Sequence, residues 1–122
     1  MSATHQAVID EEQLFLCLTG DQEIDLDLLH LAMSQCDEAL AAMENALRAS
    51  DDATWLQAAH RARGFTGTMG FARAAFLWNI AEFEATTPEA RAQSMAALRS
   101  SVEEVRAELR ARGYAIPDAA MP

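Results

Sequence analysis

A chain of 122 residues has room for one domain. Its net charge of −10 excludes nucleic acid and anionic membrane surfaces as natural partners, because both would repel it. No run of eighteen apolar residues, long enough to span a bilayer, occurs, and no basic-then-apolar leader opens the chain, so a cytoplasmic protein is expected.

Abundant alanine, leucine, glutamate and arginine, with only 5 glycines and 3 prolines, predict an all-α fold with thin helix packing. Cys17 and Cys36 sit in apolar stretches without metal-ligand spacing and read as small buried hydrophobes in a reducing compartment.

Residues 1–9 read as a flexible tail, with His5 in it. Asp10 caps a short helix through Leu18, broken by Thr19-Gly20-Asp21. A long amphipathic helix follows from Ile24 to Ala49, with Leu29, Met33, Cys36, Leu40 and Met43 at three-and-four spacing. His30 lies on it as a surface or boundary residue without a catalytic partner.

Ser50-Asp51-Asp52 breaks and caps the chain again, and the next helix runs to Met69, where Gly70 ends it. Phe71 to Ala85 forms a fourth element, apolar nearly all round. Thr87-Pro88-Glu89 starts a last helix that runs to Arg112, and residues 113–122 form a C-terminal tail. Four long helices with short connections must alternate in direction. The expected architecture over residues 10–112 is therefore an antiparallel up-down-up-down four-helix bundle with a short N-terminal capping helix.

The chemistry concentrates between Trp55 and Phe71. At about 100° per residue, Trp55, Ala59, Ala62, Thr66 and Met69 form a core stripe, and His60 points the opposite way, to solvent. Gln57, Arg63, Gly64 and Gly67 share its exposed face. Each interior glycine costs about 1 kcal/mol relative to alanine. Two beside one histidine imply a bare backbone strip that lets another molecule reach the ring. From Ala53 to Ala81 there are three arginines (Arg61, Arg63, Arg73) and no acidic residue, so the span carries +3 and the remainder −13. Such a basic island suits a transient phosphoryl group.

His60-Arg61-Ala62-Arg63-Gly64 followed by Met69-Gly70 resembles the signature of histidine-containing phosphotransfer (HPt) domains. That signature is a histidine, a basic residue three later, a glycine four later, and an apolar-glycine pair at nine and ten. The resemblance independently implies a four-helix bundle over roughly residues 10–112, and a phosphocarrier role without an ATP site of its own, hence not an enzyme. It assigns His60 as phosphoacceptor and Arg63, with Gln57 nearby, as the phosphate-steadying side. Glu82 would orient the ring, and Gly64, Gly67, Arg61 and Phe71 would form the docking face. Arg63 replaces the family's more usual lysine, and Phe65 and Phe71 stand where small residues are common. The helical wheel sends Phe65 to the core. Phe71 is expected as an aromatic edge of the docking face.

The implied partners are a response-regulator receiver domain and a hybrid sensor histidine kinase, with no cofactor, no bound metal and a monomeric state. A free-standing small protein is expected from the initial Met and the two tails. The competing reading is a helical interaction module that binds such partners without phosphate chemistry. A metal-binding bundle is disfavoured because no Glu-x-x-His spacing occurs.

Overall fold

In the computed structural model, which describes residues 6–119, caps written into the sequence set where each helix starts. The Asp10 carboxylate accepts the Gln13 N–H at 3.2 Å and opens α1, Glu11–Cys17. Asp21 accepts from the Glu23 and Ile24 N–H groups, each at 3.1 Å, and starts α2, Gln22–Ala49, two residues before the expected Ile24. Asp51 caps α3, Asp52–Met69, and Thr87 caps α5, Pro88–Ala111, with Pro88 in its first turn. Between them α4, Ala72–Phe83, begins at Phe71 without a side-chain cap. Among the described residues the secondary structure is five helices and no strand. None of these helices is long and apolar enough to cross a membrane.

Gly70 ends α3 in the left-handed region at φ 79°. A Cβ there would lie 2.8 Å from both Asp10 O and Leu14 N, so only glycine lets α1 come this close. Asp10 N in turn donates to Gly70 O at 2.7 Å.

The core follows the apolar stripes. Leu29, Met33, Cys36 and Met43 of α2 meet Trp55, Ala59 and Ala62 of α3, Ala74, Trp78 and Ala81 of α4, and Leu98, Val102, Val105 and Leu109 of α5. Helix α3 packs on α2, α4 and α1, and α5 packs on α2 and α4. Alanines on α3 and α4 allow close approach, and both tryptophan N–H groups find acceptors: Trp55 donates to Ala81 O at 2.9 Å and Trp78 to Met43 Sδ at 3.3 Å. Burial, with the neighbouring Asp37 charge adding to it, pushes the Cys36 thiol up to about 12, so it is an inert packing group. Cys17 is half-buried and its thiol donates to Thr68 O.

Both expected tails need correction where they are described. Ile9 is buried, Arg73 N donates to Ala7 O at 3.0 Å, and Arg73 Nε donates to Gln6 O at 3.1 Å, so residues 6–9 belong to the fold. At the other end Ile116 is buried, and three side chains hold the backbone around it. His30 Nε2 lies 2.8 Å from Ala115 O, Arg110 Nε donates to Ile116 O at 2.8 Å, and Arg106 Nη1 donates to Pro117 O at 3.0 Å. These contacts turn sequence that looks like a tail into a strap. His30 thus has a partner, a structural one. Residues 1–5, with His5, and residues 120–122 lie outside the described residues.

Candidate functional site

The His60 side of α3 faces solvent because its opposite side is fully used in the core. Trp55, Ala59, Ala62 and Thr66 are all buried, which fixes the helix rotation and turns His60 outward. The His60 side chain is 66% exposed. Glu82 reaches it from α4 and is only 11% exposed. His60 Nδ1 lies 2.9 Å from Glu82 Oε2, and Arg63 Nε donates to Glu82 Oε1 at 2.7 Å. Each carboxylate oxygen therefore has its own partner.

Arg63 Nη2 also approaches His60 Nδ1 at 3.2 Å. Nδ1 cannot donate to the carboxylate and accept from the guanidinium at once. Burial pushes the Glu82 carboxyl up, but hydrogen bonds from Arg63 and His60, with their charges, outweigh it and hold the group below its ordinary value. An ionised Glu82 only accepts, so the ring proton belongs on Nδ1, facing Glu82. Nε2 is left as the unprotonated, outward nitrogen of the neutral ring.

Arg63 is more constrained than the sequence suggests. Besides gripping Glu82, its guanidinium lies 5.3 Å from the Phe83 ring centroid, a cation–π arrangement. Its charge is already matched by Glu82. Arg61 is exposed on the other flank and makes no ion pair or hydrogen bond among the described residues. Arg73 leaves the basic island altogether: it pairs with Glu104 at 2.6 Å, at the far end of α4. The charge run in the sequence is thus two arginines at the site and one used for structure.

Gly64 and Gly67 lie on the open face, and a Cβ at either would meet nothing within 4 Å. The fold itself therefore does not require glycine at these positions. Gln57 is exposed one turn before His60, but no hydrogen bond ties it to the His60–Glu82–Arg63 cluster.

Phe71 corrects an expectation: it is fully buried rather than an edge of the docking face. The left-handed turn at Gly70 reverses the chain, and Phe71 N donates to Thr66 O at 2.9 Å, which carries the ring inward. The exposed aromatic at the site is instead Phe83, against Arg63. Phe65 packs inward on Trp78, with ring centroids 6.4 Å apart, as the helical wheel predicts.

A shallow hollow of about 390 Å³ flanks the glycine strip on the α2 side, lined by Leu28, Leu31, Gln35, Gly64, Phe65 and Thr68. Leu31 is exposed there. In the sequence Phe83 is one of several residues that make its helix apolar nearly all round, with nothing to single it out, and Leu31 is a large apolar residue outside the α2 core stripe that the helical spacing passes over. Among the described residues no group of three or more histidine, cysteine, aspartate or glutamate side chains converges as metal ligands would.

Compared with protein-family models, with curated proteins and with solved structures, the chain matches none.

Proposed function

We propose that this chain is a histidine phosphotransfer protein that carries a phosphoryl group on His60 between receiver-domain aspartates. One observation carries the reading: an exposed imidazole whose Nδ1 is held by a mostly buried carboxylate, leaving Nε2 open beside a bare glycine strip.

The chemistry follows from that arrangement. Nε2 attacks the phosphorus of an aspartyl phosphate, the P–O bond breaks, and the aspartate carboxylate leaves with the electron pair. No proton has to depart from Nε2. The ring gains positive charge as the N–P bond forms, and Glu82 stabilises that charge through the Nδ1–H. Reversal on a second receiver expels a neutral imidazole, which makes the bond easy to pass on. Arg63 keeps Glu82 through Nε while its terminal nitrogens turn to the phosphoryl oxygens. Arg61 supplies a second cation. Both oxygens of Glu82 are occupied, so it is not free to activate water against the phosphohistidine.

The proposed architecture around this site is an antiparallel up-down-up-down four-helix bundle of α2 to α5, with α1 across one end. The packing of α2 on α3, α3 on α4, α4 on α5 and α5 on α2 supports it, since those contacts close a ring. Such a carrier works in the cytoplasm as a monomer, meeting a receiver domain and a hybrid sensor kinase in turn.

The test is phosphotransfer from receiver domains charged with acetyl phosphate, run on wild type and His60→Gln. An acid-labile, base-stable phosphoryl group is expected on wild type alone, with unchanged thermal stability in the variant. If no receiver from the same cell labels either protein while binding persists in both, the chain is an interaction module and the carrier reading fails.

A further inference from the structure

We infer that the α1 end of the molecule is a second docking surface, shaped for a basic amphipathic segment of another protein. Phe15 is 78% exposed, and Leu16 beside it is equally open. Neither exposure comes from a frayed helix. The Asp10 N–H reaches Gly70 O at 2.7 Å, the Gln13 side chain donates to Thr68 O at 2.8 Å, and Glu11 pairs with Arg112 of the α5 C-terminus. A rigidly held helix that presents a bare phenylalanine marks a contact surface.

Three hollows join there into one trough. The largest, about 710 Å³, is lined by Phe15, Leu16, Leu18 and Arg112. Phe15, Leu18 and Arg112 continue into a second, of about 420 Å³, which reaches Tyr114. Tyr114 and Gln22 lead on into a third, of about 360 Å³, ending at Glu23 and Leu26. The floor is apolar at its α1 end and again at Leu26 and Tyr114, with Thr19 and Gln22 lining the stretch between.

The rim decides the occupant. Glu11 and Arg112 cancel one another, and the Asp25 carboxylate is consumed by the Thr19 and Gly20 N–H groups at 2.7 and 3.1 Å. Glu12 and Glu23 remain, exposed and without an ion pair among the described residues. An apolar trough with surplus negative charge matches a segment with apolar anchors on one side and lysine or arginine at its edges. A second copy of this chain would bring another −10 and the same acidic rim, and an anionic membrane would be repelled likewise. Thr68, which α1 grips, lies eight residues along α3 from His60, about 12 Å of helix rise. A partner seated in the trough leaves His60 open. The inference stands whether or not His60 carries phosphate.

The experiment titrates the full chain against two fluorescent probe peptides at physiological salt: an idealised leucine–lysine amphipathic helix and its leucine–glutamate counterpart. Amide shifts map the contact. The lysine probe should bind and shift residues 11–18, 22–26 and 113–115, and the glutamate probe should not bind. Phe15→Ser should weaken the lysine probe about tenfold, the size of one interface anchor. Glu12→Lys with Glu23→Lys should weaken it several-fold, and His60→Gln not at all. Since Phe15 is exposed, the serine variant should melt as wild type does.

Equal binding by wild type and Phe15→Ser, or shifts scattered over the acidic surface, would overturn the inference as mere charge attraction. Concentration-dependent dimerisation abolished by Phe15→Ser would make the occupant a second copy. Vesicle binding lost in that variant would make it a lipid surface. Either result also overturns the basic-segment assignment.

Discussion

The molecule holds two arginine–carboxylate clusters built from similar parts and put to opposite uses. Arg106 is 2% exposed and spends its guanidinium on Asp37 at 2.8 Å, Glu103 at 3.1 Å and the Pro117 carbonyl. Arg63 stands at the surface and shares Glu82 with a histidine whose other face is open. At Asp37, burial is the largest influence and holds the carboxyl above its ordinary value despite the arginine. At Glu82, the hydrogen bonds win and hold the carboxyl below it. The first cluster closes on itself and fastens the C-terminal strap. The second leaves one nitrogen unsatisfied, and that nitrogen is where chemistry can happen.

Arg106→Ala breaks the closed cluster and should give the largest effect. It leaves Asp37 uncompensated and the Pro117 carbonyl without its donor. Asp37 is partly exposed, so the loss falls below that of a fully buried pair, at roughly 1–3 kcal/mol. Urea unfolding should show that loss, and the amides of residues 114–118 should lose hydrogen-exchange protection. Arg106→Met, which keeps the apolar stem, should lose less. Phosphotransfer by the folded fraction should stay at the wild-type rate, which separates the two clusters.

The closed cluster was invisible in the sequence, and the open one was not. Arg106 looks like any charged residue of an amphipathic helix, and Asp37 lies 69 positions away in the chain. Nothing local says that they meet. The Ile116 strap was missed partly for the same reason: His30 reaches it from 85 positions away, while Arg106 and Arg110, 11 and 6 positions before their acceptors, fold it back in a way helical periodicity does not describe. Helix starts, by contrast, are local: Asp10, Asp21, Asp51 and Thr87 all cap through their own following turn. Periodicity made the site legible as far as one helix could carry it, and Glu82 on the next helix came only through the family resemblance. His60, Arg63, Gly64 and Gly67 share a face by periodicity alone. Phe71 failed because a left-handed glycine intervenes, and helical spacing says nothing about direction beyond it. That Arg63 is bound to Glu82 required the second helix.

Glu82→Gln sharpens the comparison by removing the charge while keeping an acceptor for the Nδ1–H. A charged hydrogen bond is worth about 1.5 kcal/mol more than none, and roughly half of that survives in a neutral one. Transfer should slow by about three- to fourfold, with receiver affinity unchanged. The pH response separates the clusters too. Glu82 has a depressed folded value, so its stabilisation is present above the ordinary glutamate value of 4.5 and is lost as pH falls through the folded one. Asp37 has a raised value, so its ionised form costs stability, and that cost is relieved as pH falls. Below about pH 4.5 the Glu82→Gln protein should therefore lose less stability than wild type. The Asp37→Asn protein should lose more, because it lacks the relief. Unfolding midpoints at neutral and acid pH decide this, and parallel profiles for all three proteins would break the distinction.

The smallest effect tests why the open cluster stays open. A Cβ at Gly64 meets nothing within 4 Å, and the helix there is regular, so alanine should stabilise the fold by up to about 1 kcal/mol. A chain under selection for stability alone would have no reason to keep glycine at that position. On the proposed function, the glycine strip is explained by what must come close to His60 from outside. Gly64→Gln should keep the full helical signal and melt no lower than wild type, yet slow transfer by raising the receiver concentration needed for half-maximal rate. Alanine should fall between, since one methyl obstructs less than a glutamine side chain. If both variants transfer at the wild-type rate, the bare strip serves no approaching partner and the account of this face fails, even with His60 still phosphorylated. If transfer falls in proportion to side-chain size while stability rises, the two glycine costs in α3 are the signature of a surface built for another molecule.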